Sequence, residues 1–295
     1  MAEQTPVLRP ARRAPAPGWV QLIRLIRAKP LGTFGGLVVA GLLAVGLLAD
    51  LLAPYSYDDF DPARRLRPPT AAHPFGTDEQ GRDVLSRVVY GARVSMVVAV
   101  GSAVVATLVG SVIGTLSGYF GGTADLMTQR LIDVWLAFPG LIFVIFLVGV
   151  LSNSFPVLIL TIGLLYSAGS SRVVRGAVMV IRDSLYVEAA RALGARHGRI
   201  LLRHILPNVL AVIIVNASAQ LGSIILLESS LSFLGFGPPP PFPSWGRMLS
   251  EARTQMVYHP NLMLFPGLAV TLAVFSFNMF GDAVRDLLDP RLRGR

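Results

Sequence analysis

The chain has no cysteine, which excludes disulfides, thiolate nucleophiles and thiolate metal ligands. Lysine is nearly missing too: the only one is Lys29, followed by Pro30. A phosphate-binding loop of the form G-x-x-x-x-G-K-[ST] therefore cannot be built. If ATP drives the function, another subunit binds it. Histidine is scarce and scattered, at His73, His197, His204 and His259. Neither H-E-x-x-H nor G-x-S-x-G occurs. No catalytic constellation and no metal-ligand set can be read, and the isolated histidines read as solvated or capping groups.

What the chain has instead is apolar length. Its 295 residues are 53% hydrophobic with a mean hydropathy of +0.60, the profile of an integral membrane protein. The net charge of +9 sits on arginines that flank apolar runs. Membrane topology explains that charge, and nucleic acid is not needed to.

Residues 1–29 are basic and read as a cytoplasmic tail: Arg9, Arg12, Arg13, Arg24, Arg27 and Lys29 face a single acid, Glu3. The run Leu31 to Ala53 is long enough for a spanning helix of about 20 residues and reads as an uncleaved signal anchor. Residues 54–92 carry Asp58, Asp59, Asp61, Asp78, Glu79 and Asp83 and belong outside. Within them, His73–Asp78 reads as a turn, and Thr77 or Asp78 is expected to cap a surface helix through Arg87. Further spans are expected over 94–117, 135–151, 157–171, 208–231 and 262–281. The fourth should continue as helix past Arg172 and Arg175. A cytoplasmic loop over 172–207 and a tail over 287–295 complete an organisation of 1–29, 30–92, 93–286 and 287–295. Six spans with both termini inside agree with the charge of every loop.

In the second span Ala106, Gly110, Gly114 and Gly118 recur every fourth residue. Such a small-residue ladder lets another helix approach closely in lipid. Glu228 is the one ionisable residue within or close to a span. It is a candidate for the translocation path or outer gate, with a hydrated position just outside the hydrocarbon as the plainer reading.

The most distinctive stretch is the cytoplasmic island Tyr186-Val187-Glu188-Ala189-Ala190-Arg191-Ala192-Leu193-Gly194, running on to His204-Ile205-Leu206-Pro207-Asn208. Asp183 or Ser184 suits a helix start. Leu185, Ala189, Ala192, Leu193, Arg196 and Ile200 recur at near-helical spacing. Glu188 is placed to pair with Arg191 one turn on. Gly194 suggests a bend or a close backbone approach, and Pro207 suits the first turn of the next helix. Small alanines beside a glutamate make a docking shape. An ordinary surface helix lying on the membrane has the same periodicity.

At these residues the chain resembles the permease subunits of binding-protein-dependent ABC importers, whose signature is E-A-A, three residues, Gly, nine residues, I-x-L-P. Glu188-Ala189-Ala190, Gly194 and Leu206-Pro207 fall at that spacing, with His204 in the isoleucine slot. Arg203-His204-Ile205-Leu206-Pro207-Asn208 is similar to the C-subunits of dipeptide, oligopeptide and nickel permeases. So are His73–Asp78 with Gly81-Arg82-Asp83, Gly121-Gly122 with Asp125, Arg130 and Asp133, and Ala137-Phe138-Pro139. Glu228 with Leu231–Gly235 and Ser244-Trp245-Gly246 completes the match. Ser167–Ser171 departs from relatives that carry Trp and Pro there. The resemblance implies an all-α type I importer permease fold and no enzyme activity of its own. It implies a second, B-type permease, two cytosolic ATP-binding subunits carrying ATP and Mg, an external solute-binding protein, and no cofactor on this chain. Tyr186, Glu188, Ala189, Ala190, Ala192, Leu193 and Gly194 would dock on an ATPase. Peptides are the expected cargo, with nickel chelates, glutathione and opines as alternatives. A secondary transporter would require internal repeats or several buried ionisable residues, which the sequence lacks.

Overall fold

The structure, a computed structural model, describes residues 30–288. The expected tails, apart from Leu287 and Leu288, lie outside the described residues. Their regular elements are helices, with five helices long and apolar enough to cross a membrane and a sixth crossing if a bent pair counts as one. The end that carries residues 183–205 is termed inner and the opposite end outer.

Helix α1, Pro30–Leu47, is followed by the short α2, Ala49–Leu52. The expected span over 31–53 is thus broken at Leu48. Arg93 holds that break: its guanidinium donates to the carbonyls of Gly46 and Leu47 at 2.7 and 3.2 Å and to Asp50 at 2.9 Å. Those carbonyls have no partner within a helix that ends there.

Helix α3, Val84–Phe120, is 37 residues long. The expected surface helix and second span are one element, and the boundary at 92/93 falls inside it. Its cap is Asp83, not Thr77 or Asp78: the Asp83 carboxylate accepts from the Ser86 N–H at 2.7 Å. Gly121 and Gly122, both near φ +64, turn the chain into α4, Gly122–Ala137. Pro139 then opens α5, Gly140–Leu151. The two helices meet at 88°. The third span expected over 135–151 is therefore an elbow, because Pro139 has no N–H to continue the ladder and biases Phe138 to extended backbone. Asp125 and Asp133 of α4 bond Arg175 and Arg172, which ties the elbow to the next helix.

That helix is α6, Phe155–Arg182, and it pairs with α3 along its length. Ala106, Gly110, Gly114 and Gly118 are all buried in the seam. A Cβ at Gly114 would stand 3.0 Å from the Arg175 backbone nitrogen, and one at Gly118 2.9 Å from its carbonyl oxygen. Bare Cα hydrogens let two backbones meet where lipid supplies no hydrophobic drive. After α7, Leu185–Ala192, a helical run from His197 to Phe233 is continuous. It comprises α8, His197–Ile200, a wide π turn, Leu201–Ile205, and α9, Leu206–Phe233. The fifth span thus begins in the island itself. Pro207 follows the π turn inside an unbroken run rather than opening a separate helix. Helices α10, Trp245–Ala252, and α11, Asn261–Leu288, complete the bundle. The main core gathers Val98, Val144, Leu158, Ile162, Ile224, Trp245 and Phe277, and a second core sits at the inner end.

Candidate functional site

Helix α7 begins because the Ser184 carbonyl accepts the N–H groups of Val187 and Glu188 at 3.0 and 3.1 Å. The Ser184 hydroxyl donates backward to Ile181 O at 2.6 Å, so it does not cap α7. The helix stops in a Schellman motif. Gly194 N–H donates to Arg191 O at 2.9 Å and Ala195 N–H to Ala190 O at 3.0 Å, with Gly194 at φ +76. Only glycine takes that left-handed conformation without strain. Nothing lies within 4 Å of where a Gly194 Cβ would be. The bend is present, and a close approach within this chain is not.

The two faces of α7 differ sharply. Val187, fully buried, packs with Val174, Val178, Ile200 and Ile205, and Ala190 is buried beside it. Tyr186, Glu188, Ala189, Ala192, Leu193 and Gly194 are exposed. Leu185 and Leu193 are 84% and 88% exposed. The part of the spaced stripe that lies on α7 is thus the bare face, Ile200 beyond it is buried, and the buried face of α7 is carried by the two small residues between. Among the described residues no ion pair joins Glu188 to Arg191. The Arg191 guanidinium instead lies 5.6 Å above the Tyr119 ring.

Tyr119 is the residue that spacing did not mark. It closes α3, is buried, and its hydroxyl is hydrogen-bonded to His197 Nδ1 at 2.8 Å. One ring thus joins the second span, the island helix and the start of the run into the fifth span. Its only sequence signal is an aromatic at a helix end beside Gly121-Gly122. Arg182 adds a second tie, donating to Gly118 O at 3.0 Å. It also holds the Asp183 carboxyl below its ordinary range by a side-chain hydrogen bond.

At the outer end, segments that are far apart in sequence meet. Arg87, 2% exposed, donates to Asp78 and, at 2.9 Å, to Glu251. Arg82 donates to the same two carboxylates at 2.7 and 3.1 Å. His73 Nδ1 pairs with Asp83 at 2.9 Å. Trp245 donates to Val88 O at 3.0 Å and lies against Gly91. Arg247 of the same helix has its pKa lowered by burial. Glu228 is 1% exposed and accepts from Ser232 and Ser95 at 2.7 and 3.0 Å. Within this chain the carboxylate is enclosed. Its serines come from α3 and α9, so it joins those helices. Sequence reasoning missed these serines because each is unremarkable alone.

The comparisons follow the same residues. Residues 110–294 match the family described as binding-protein-dependent transport system inner membrane component. Residues 19–69 match the N-terminal TM domain of oligopeptide transport permease C. The chain is 36% identical to the dipeptide transport system permease protein DppC of Alkalihalophilus pseudofirmus, covering 98% of this chain and 97% of that one. It is 38% identical to the glutathione transport system permease protein GsiD of Pectobacterium atrosepticum, over 93% and 92%. Among solved structures, inward-facing MetNI methionine ABC transporter resembles it with a TM-score of 0.58 at 17% identity, covering 69% of this chain and 96% of that one. That likeness concerns the fold.

Proposed function

The chain belongs to the binding-protein-dependent transport system inner membrane components, and on that premise we propose how it works in its assembly. It is a multi-pass permease subunit of an ABC importer in a prokaryotic inner membrane, and ATP hydrolysis in this family is carried by separate subunits. Our reading is that it forms half of a pore for di- or oligopeptides beside a B-type permease. Two cytosolic subunits would bind ATP and Mg, and an external solute-binding protein would deliver cargo. The names of the similar relatives favour dipeptides or glutathione. Nickel chelates and opines would use the same machinery.

One observation carries the coupling role: α7 is fixed on one face by Val187 and Ala190 while Leu185 and Leu193 stand bare. A surface helix held so firmly, with exposed apolar side chains and an adjacent carboxylate, fits a cleft on a partner. In this reading an ATPase grips α7 through Tyr186, Glu188, Ala189 and Leu193. Closure of the ATPase pair then moves α6 and the His197–Phe233 run as rigid bodies. With both termini inside, α7 faces the cytosol. The test is the assembled complex carrying Glu188→Arg. We expect loss of ATPase co-purification and of substrate-stimulated hydrolysis, with normal membrane insertion. Wild-type values for both would reject the docking role. Calorimetric titration of the solute-binding protein with dialanine and glutathione separates the cargo classes. Because the chain has no cysteine, introduced cysteines report topology without background, and external labelling at Arg196→Cys would overturn the orientation.

A further inference from the structure

We propose that Asn216 and Gln220, braced by Ser170, form an uncharged amide strip that contacts the transported molecule halfway across the membrane. The proposal rests on the importer reading and adds a site to it. Helix α9 has 28 residues, Leu206–Phe233, so its midpoint falls between Ala219 and Gln220. At about 1.5 Å per residue, both amides lie within about 6 Å of that level. Each gives one N–H to the Ser170 hydroxyl, at 3.0 Å from Asn216 and 2.8 Å from Gln220. Ser170 is buried, so it fixes both amides from behind. Among the described residues nothing takes the Asn216 or Gln220 carbonyl oxygen.

In front of the strip is a groove of about 500 Å³ lined by Phe138, Tyr166 and Gly169 as well as the two amides. That volume lies within the range of small-ligand sites. The elbow at Phe138 makes one wall. Polar groups facing hydrocarbon without partners are costly. The free amide oxygens therefore require something other than lipid in the groove. No charged side chain lines it. Amide carbonyls and N–H groups without a fixed charge suit a molecule rich in amide groups whose own charges vary. A short peptide backbone has that character.

The test uses the complete complex in inside-out vesicles. Asn216→Cys and Gln220→Cys are compared with Leu37→Cys on the exposed side of α1, using a charged, membrane-impermeant methanethiosulfonate. Both strip positions should react at least about tenfold faster than Leu37→Cys, since a water-filled path admits the reagent and hydrocarbon does not. Rates equal to Leu37→Cys would mean that the amides bond the second permease, and would overturn the proposal. In proteoliposomes Gln220→Leu should raise KM for dialanine or trialanine roughly fivefold with kcat kept, as expected for one lost hydrogen bond. Gln220→Asn should recover part of it. An unchanged KM overturns the strip as a contact. If wild type takes up neither peptide, the peptide class falls. Failure of the ATP-binding subunits to co-purify would reject the importer reading itself.

Discussion

At the outer end Asp78, Arg82, Arg87 and Glu251 satisfy one another within the chain. At the inner end Glu188 has no charged partner among the described residues, and Leu185 and Leu193 lie open. Both ends are rich in arginine and carboxylate, so composition does not separate them. Closure does. Where every charge finds its counter-charge inside one chain, the cluster acts as fold. Where a firmly seated helix keeps its apolar face and its carboxylate uncovered, the cluster is unfinished within this chain, which is what the proposed docking role requires.

That contrast can be broken most severely at Arg87. Arg87→Ala would leave Asp78 buried with its best partner gone, a change costing about 3–5 kcal/mol. The expected outcome is a large drop in detergent melting temperature and in membrane abundance, measured by fluorescence-detected size exclusion. A melting temperature equal to wild type would show the outer cluster to be dispensable for folding.

Gly114→Leu should come next. Its side chain would collide with the α6 backbone near Arg175, and overpacking of this kind costs about 1–3 kcal/mol. Lower abundance of the chain expressed without its partner permease is expected, because the seam is internal. A loss seen only in the presence of the partner would relocate the ladder to the subunit interface.

Gly194→Leu forces a branched residue into φ +76, at a cost of roughly 1–2 kcal/mol. At an exposed loop this should lower the melting temperature little while cutting substrate-stimulated ATP hydrolysis strongly. Equal fractional losses in both would erase the distinction between the two ends.

The smallest effect belongs to Tyr119→Phe. It keeps the ring under Arg191 and removes the 2.8 Å bond to His197, worth about 1 kcal/mol. We expect intact assembly and basal hydrolysis, with fewer molecules transported per ATP hydrolysed. An unaltered ratio would reduce Tyr119 to packing.

Much of this architecture is legible in the residues. The apolar runs and arginine-rich loops locate the crossings, and the every-fourth glycine repeat marks a close seam. The E-A-A stretch with Gly194 locates the exposed helix. Other features depend on long-range closure. The Glu228 cage needs Ser95 from another helix, and Arg87 needs Glu251 from a segment 164 residues away. Nothing local in either sequence stretch specifies such a meeting. Helix ends were the least legible. Asp83 is the cap because it directly precedes Val84, where the helix starts, while Thr77 and Asp78 lie upstream and are engaged there: Thr77 with Arg64 and Arg67, Asp78 with Arg82 and Arg87. The stripe in α7 is legible as a pattern, but which face of it is buried is not, since the smaller Val187 and Ala190 are buried while the larger Leu185 and Leu193 are exposed.

The run from His197 to Phe233 spans 37 residues, about 55 Å of unbroken helix. Its wide turn at Leu201–Ile205 therefore acts as a phase setting on a drive shaft. Each such turn accommodates one residue more than a plain α-helical turn. Deleting one residue there would let the wide turn close to a plain α-helical one with both flanks still in phase, whereas deleting one from the plain helix just beyond Pro207 would rotate everything after it by about 100° relative to His197. Only the second deletion would swing Glu228 away from Ser95 and the amides away from Ser170. The angular relation between α7 at one end and the groove at mid-depth thus has one residue of slack, and it lies in the turn that packs against α7 through Ile205.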